Sequence, residues 1–282
     1  MKAPQKTMLN PFVVLLIGLI TMPIQAQTPG GGTPSKWVQL PDLSSLGLDV
    51  KTSYPKILAD DFLCTSSGPV TNIQIWGSWN NDYLPSGDPM AVSFRLSFHA
   101  DVPDPEPENP QTWSMPSSQR LWEAVFYSGN WPFTFTAQPY ATVPEGEGWY
   151  DPNTGTFTWP ADYQVWQYSF DIPVSLAFVQ QGSPSNPVVY WLDIEAFTSD
   201  PEAAFGWKTS LSHWNDDAVW ADENPAAGMG LLWNELRYPN GHEFQSQSID
   251  LAFVITPEPY TLAVVTLGLV ATVLPRQRKR RR

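Results

Sequence analysis

Proline and glycine punctuate this chain too densely for long helices. Its 282 residues include 29 Pro and 18 Gly, and each interior Pro removes a backbone donor and fixes φ. Between these breaks the apolar residues recur with period two. From Met90 to His99, Val92, Phe94, Leu96 and Phe98 fall on one face, while Ser93, Arg95, Ser97 and His99 fall on the other. That alternation marks a half-buried strand. Ser248–Ile255 repeats it, and Val70–Trp79, Leu121–Tyr127, Pro132–Ala137, Tyr163–Asp171 and Val188–Phe197 read the same way. Turn signals such as Ser-Gly-Pro, Pro-Ser-Gly-Asp, Asp-Pro-Asn-Thr-Gly and Tyr-Pro-Asn-Gly separate the runs. The expected fold class is all-β: a single antiparallel two-sheet β-sandwich, jelly-roll-like or Greek key, with long loops.

The two ends depart from this pattern. Residues 1–26 read as a signal peptide, with Lys2 and Lys6 ahead of an apolar Phe12–Ile20 and the small Ala26 before a cut. Residues 27–35 contain Thr-Pro-Gly-Gly-Gly-Thr-Pro and read as a flexible linker. The folded part is then 36–256, long enough for one domain with a sizeable core. Residues 257–282 join Pro257, Glu258 and Pro259 to an apolar run, 260–274, and a basic end, 276–282. As a transmembrane helix that run spans about 22 Å against roughly 30 Å of hydrocarbon. Arg276, Arg278, Lys279, Arg280, Arg281 and Arg282 make up the difference by snorkelling to the interface. They stay on the cytoplasmic side, which places everything before Pro257 outside the inner membrane.

The triplet, the apolar segment and the Arg-rich end, in that order, resemble the PEP-CTERM sorting signal of exported bacterial proteins. The resemblance implies that an exosortase-like enzyme of the inner membrane cuts near Pro257, Glu258 and Pro259. The protein then passes to the cell surface, the extracellular matrix or exopolysaccharide. Pro275, just before the arginines, departs from that pattern by shortening the helix. Upstream lie WVQLPD (37–42), LADDFLC (58–64), IWGSW (75–79), GWYDPNTG (148–155), VYWLDIEA (189–196), GWKTS (206–210), HWNDDAVW (213–220), WNELRYP (233–239) and DLAFVIT (250–256). Together they resemble an uncharacterised exported domain found in front of such tails. That resemblance implies a single exported domain and no particular activity.

Charge excludes some partners. The whole chain carries a formal −13. Two of the 15 basic residues lie in the leader and six in the tail, so seven face 27 acids in the folded part, a net −20. Such a surface repels nucleic acid and anionic lipid and attracts divalent cations. The lone Cys64 forms no disulfide within the chain and sits in an apolar strand pattern, so it reads as a small buried hydrophobe. Pro103–Pro110, acidic and Pro-rich, reads as a solvated loop.

No nucleophile elbow, His-Glu-X-X-His, phosphate loop or Cys-X-X-Cys is present, and no residue is assigned a catalytic role. Oxygen donors favour Ca²⁺, and the candidate ligands are Asp60, Asp61, Asp216 and Asp217. Adjacent residues on a strand point to opposite faces, so only one of Asp60 and Asp61 turns to the core side. Trp191, Asp193 and Glu195 share one strand face and make a candidate sugar contact, beside Trp214 and Trp220, expected to be the most exposed tryptophans. The expected function is a non-enzymatic exported surface or matrix protein. Its partners are the secretion machinery, an exosortase-like enzyme and exopolysaccharide, with no nucleic acid. A Ca²⁺-dependent carbohydrate-binding module and a carbohydrate-active hydrolase or lyase are the alternatives.

Overall fold

The structure is a computed structural model, and it describes residues 36–104, 111–129, 132–222 and 232–256. The signal peptide, the linker, the sorting segment and most of the Pro-rich loop lie outside the described residues. Among the described residues the regular structure is almost all strand. Its helices are 3₁₀ turns at Asn80–Asp82, Pro85–Gly87 and Val174–Leu176, and no described helix is long and apolar enough to cross a membrane.

The strands are β1 (Trp37–Gln39), β2 (Leu48–Lys51), β3 (Lys56–Cys64), β4 (Gly68–Pro69), β5 (Asn72–Trp79), β6 (Ser93–Val102), β7 (Met115–Tyr127), β8 (Thr134–Asp151), β9 (Thr156–Asp171), β10 (Val179–Gln180), β11 (Val188–Phe197), β12 (Phe205–Ser210), β13 (Val219–Asp222), β14 (Asn234–Glu235), β15 (Asp250–Leu251) and β16 (Phe253–Thr256). One sheet has the order β14-β13-β3-β11-β6-β7, and the other runs β1-β16-β5-β9-β8-β2-β12-β15. A third, of two strands, joins β10 to β4.

The period-two reading of β6 holds. Phe94, Leu96 and Phe98 are buried in the main core, and their neighbours Ser93, Arg95, Ser97 and His99 take the other face. Rings from the two large sheets meet there. Phe94 of the six-stranded sheet lies edge-on to Phe135, Phe170 and Phe205 of the other at 5.5, 5.3 and 5.2 Å. Phe126 meets Phe170 at 5.0 Å, and Phe62 meets Phe253 at 6.1 Å. Edge-on ring pairs at these separations add to what area burial supplies. Cys64 is buried beside this core, as expected.

Two features of the larger sheet were not legible in the alternation. β2 pairs with β8 in parallel, Leu48 opposite Gly148 and Val50 opposite Tyr150, so the sheets are not wholly antiparallel. The pattern of apolar residues says which face a strand buries and nothing about the direction of its neighbour. In addition, β12 pairs with β5 as well as with β2, which closes β5-β9-β8-β2-β12 into a five-stranded ring. Closure is possible because two glycines meet at the seam. A Cβ on Gly77 would stand 2.1 Å from the Gly206 carbonyl oxygen, and one on Gly206 would stand 2.7 Å from the Trp149 ring. No side chain fits either place.

Candidate functional site

Among the described residues, three clusters of buried polar side chains stand out. The first is the face of β6 and β11 turned away from the main core. Register sets Trp191 opposite His99, Asp193 opposite Ser97, and Glu195 opposite Arg95. Ser97 Oγ donates to Asp193, His99 Nε2 lies 2.6 Å from the other Asp193 oxygen, and His99 Nδ1 lies 2.6 Å from the Ser117 carbonyl. Arg95 pairs with Glu195, with its guanidinium over the Phe197 ring, and the Trp191 N–H donates to Asp101 at 2.8 Å.

Trp191, Asp193 and Glu195 thus share a face, as the sequence implied, but all three are fully buried. Trp191 packs with Trp233, Val219, Trp113 and Met115, so a sugar ring would have to displace these side chains to stack there. The Ser–His–Asp contact is also not a nucleophile relay. A general base must hold the serine proton, whereas His99 Nε2 is occupied by the carboxylate and stands 3.4 Å from Ser97 Oγ. The network satisfies buried groups and fixes the sheet's outer layer.

The second place is around β3 and the 213–217 loop. Asp60 accepts from Gln39 Nε2 at 3.1 Å, from the Leu251 amide at 2.6 Å and from the Asp61 amide at 2.8 Å. Burial, then Asp250 and Asp61, hold its pKa well above the usual range. Asp61 turns elsewhere, to Asn215 Nδ2 at 2.5 Å, and that amide also reaches Asp216 at 3.4 Å. Burial pushes Asp61 up to about 8, with Asp250, Asp101 and Asp216 adding to it. Asp216 accepts from the Ser114 hydroxyl at 2.6 Å. Asp217 leaves the group, pairing with Ser248 and with Arg237 at 2.8 Å. The four expected ligands therefore do not converge. Asp61 and Asp216 approach through Asn215, whereas Asp60 turns to other partners because neighbouring residues on β3 alternate faces, and Asp217, in the loop, turns to Ser248 and Arg237.

Trp214 and Trp220 are half-buried, Trp214 lying edge-on to Trp37 at 5.2 Å. The described tryptophan most open to solvent is Trp159, at 52%. It lies on β9 in the β8–β9 hairpin, where Thr158, Trp159 and Pro160 are exposed in succession, and its N–H donates to the Ser45 carbonyl at 3.0 Å. An open pocket of about 250 Å³ lies elsewhere, lined by Lys51, Ser53, Tyr54, Phe197 and Asp200 among others. Tyr54 forms one wall and stacks on Phe197 at 5.4 Å.

The third place, inside the five-stranded ring, escaped the sequence reading. Each ring strand contributes one polar side chain: Asp49 from β2, Ser78 from β5, Glu147 from β8, Asp162 from β9 and Lys208 from β12, all at 0% exposure. Register sets Lys208 opposite Asp49 and Glu147 opposite Asp162. Lys208 Nζ donates to Asp49 Oδ2 at 3.1 Å and pairs with Glu147. Oxygens of the three carboxylates lie within 4.8 Å of one another. Neither Asp162 oxygen has a hydrogen-bond partner, nor does Asp49 Oδ1 or Glu147 Oε1. Burial pushes Asp162 up to about 9, with Asp49 and Asp82 adding to it. Burial raises Asp49 against the pull of Lys208, and lowers Lys208 against the pull of Asp49.

Asp49 stands about a hundred residues before Glu147 and Asp162, and those two lie on different strands, so no spacing betrays the group. The available signal was local. Asp49 interrupts the buried pair Leu48 and Val50, and Lys208 sits in Phe-Gly-Trp-Lys-Thr-Ser, every residue of which is buried.

No curated protein and no solved structure matches this chain. Residues 35–256 match a family described as a domain of unknown function, DUF7901. That stretch contains all three buried clusters and every described strand, and the chain belongs to the DUF7901 family.

Proposed function

We propose that this is a non-enzymatic exported protein, delivered by its signal peptide, held briefly by its C-terminal segment and displayed at the cell surface or in the extracellular matrix. Sorting runs through exosortase-type cleavage near Pro257, Glu258 and Pro259, and exopolysaccharide is the partner. The domain carrying it is read as a two-sheet sandwich, jelly-roll-like or Greek key, with one sheet partly curled on itself.

One observation carries this reading. The described chain begins and ends at the same place: β1 pairs antiparallel with β16, Trp37 opposite Ile255, and the Lys36 amide donates to the Ile255 carbonyl at 2.8 Å. Both termini of the domain leave from one sheet edge, and the last paired residue, Thr256, immediately precedes Pro257. A domain built so can be tethered by its C-terminal strand and released by a cut just beyond it without losing a strand.

The test is fractionation of the native host with intact-mass analysis. The expected product begins after Ala26, ends near Pro257 and is found outside the inner membrane. A full-length chain with both ends uncut in the cytosol would overturn the proposal. A second reading, a Ca²⁺-dependent carbohydrate-binding module, draws on the Tyr54 wall of the open pocket, since an exposed ring on a small polar pocket suits sugar stacking. Glycan-array binding lost on Tyr54→Ala and on chelation would favour it.

A further inference from the structure

The interior of the five-stranded ring holds three carboxylates and one ammonium, all withdrawn from water. An uncompensated charge in such a place costs several kcal/mol, so the group tends to electrical neutrality. Lys208 balances one carboxylate. Two more positive charges are required, and two protons or one divalent cation supply them.

The geometry favours the cation. Lys208 engages only one oxygen each of Asp49 and Glu147. Asp49 Oδ1, Glu147 Oε1 and both Asp162 oxygens have no partner at ordinary hydrogen-bond geometry, and the Ser78 hydroxyl, on a different strand, is directed at both Asp49 and Asp162. The independent sign is Asp162, a fully buried carboxylate turned into the ring with no well-formed hydrogen bond: the one proton of the Ser78 hydroxyl is shared between it and Asp49, so at least one of the two carboxylates is left without a donor. Oxygens of the three carboxylates lie within 4.8 Å of one another, and with the hydroxyl they form a hard donor set. Asp162 can supply two from a single carboxylate, a narrow bite that Ca²⁺ accepts and the near-octahedral Mg²⁺ does not.

We propose that the ring encloses one Ca²⁺, bound by Asp49, Glu147 and bidentate Asp162 with the Ser78 hydroxyl completing the protein's share. Lys208 is then a fixed counter-ion that neutralises the third carboxylate and is not displaced. The ion is a structural clasp: it draws together β2, β5, β8 and β9, four of the five strands, at the level of the Gly77–Gly206 seam. This site is separate from Asp60, Asp61, Asp216 and Asp217, and the inference does not depend on where the protein is delivered.

The test uses the full-length chain in detergent, refolded from guanidinium in EDTA, in about 1 mM MgCl₂ or in about 1 mM CaCl₂. The expected result is one calcium per chain by elemental analysis. Thermal unfolding should rise by about 5–10 °C in Ca²⁺ and much less in Mg²⁺. Asp162→Asn should weaken Ca²⁺ binding at least a hundredfold without lowering the unfolding temperature in EDTA, because it removes a buried carboxylate that no described basic side chain neutralises. Asp61→Asn should keep both the stoichiometry and the shift. Should Asp162→Asn fail to fold, Glu147→Gln serves in its place. Absence of bound calcium and of any shift in the wild type overturns the proposal. So does calcium that survives Asp162→Asn or Glu147→Gln and disappears with Asp61→Asn. A denatured intact mass short by one water, locating an amide between Lys208 and a carboxylate, also overturns it, since that bond consumes a ligand.

Discussion

Replacing Phe94 by Ala tests whether the two large sheets share one core. The side chain is fully buried and has four edge-on neighbours: Phe135 at 5.5 Å, Tyr168 at 5.1 Å, Phe170 at 5.3 Å and Phe205 at 5.2 Å. All four belong to the eight-stranded sheet, whereas Phe94 belongs to the other. A buried Phe→Ala change costs about 3–5 kcal/mol, set by lost transfer energy and by how poorly the cavity collapses. Four ring neighbours held by other strands cannot follow the retreating side chain, so about 4–5 kcal/mol is expected here. For a domain of this size that lowers the unfolding midpoint by roughly 8–20 °C. Phe94→Leu keeps much of the volume and should cost only about 1–2 kcal/mol. The assay is urea unfolding of residues 35–256 followed by tryptophan fluorescence, with Leu211→Ala, in an exposed turn, as a surface control expected within about 0.5 kcal/mol. A Phe94→Ala loss below about 1.5 kcal/mol would refute the reasoning, because the ring could not then be wedged between sheets.

Other expectations follow from the buried polar groups and the seam. Asp193→Ala strips the partner from both His99 and Ser97 inside the fold and should cost about 3–5 kcal/mol. Asp193→Asn, which keeps the shape and one acceptor, should cost less by the same urea assay. Gly77→Ala drives a methyl into the Gly206 carbonyl and should destabilise by about 3 kcal/mol. Hydrogen exchange should then accelerate first along the β5–β12 pairing. With pH the raised carboxyls all act with one sign, and two of them are Asp61 at about 8 and Asp250 at about 6, against an ordinary 3.8. Between 3.8 and those values the folded state keeps protons that the unfolded state has released, so both contributions are intact at acid pH and lost as pH rises. Stability should decline from about pH 4 towards pH 8, by at most about 1.4 kcal/mol per pH unit per group. Asp61→Asn should flatten the upper part of that curve, and stability that rose over this range would contradict the assignment.

Much of the fold was legible because alternation reports local burial. Val188–Phe197 was read with the bounds that β11 has, and the Asp-Pro-Asn-Thr-Gly signal falls at the β8–β9 turn, where the Asn153 amide bonds Asp151 Oδ1 and Gly155 takes φ +67°. Proline misled at β8. That strand runs from Thr134 to Asp151 through Pro139 and Pro144, and its register with β9 shifts between Pro139 and Ala141 and again between Thr142 and Glu147. Bulges absorb the missing donors, so a segment that looked broken is one long bent strand. The sites were less legible. Trp191, Asp193 and Glu195 were placed on one face correctly, but alternation could not tell that Trp233, some forty residues on, covers it.

The order of apolar and polar residues along each strand determined by itself that this chain forms sheets, which side chains face the core, and that Asp60 and Asp61 part company. It could not determine which strands become neighbours, because pairing energy comes from backbone groups that every residue carries alike. Only the tertiary structure decided that β2 lies parallel to β8, that two glycines let β5 and β12 close a ring, and that Asp49, Glu147, Asp162 and Lys208 meet inside it. Ring closure turns the polar faces of those strands inward, and a charge pattern that reads as ordinary surface along the chain becomes a buried cluster in space.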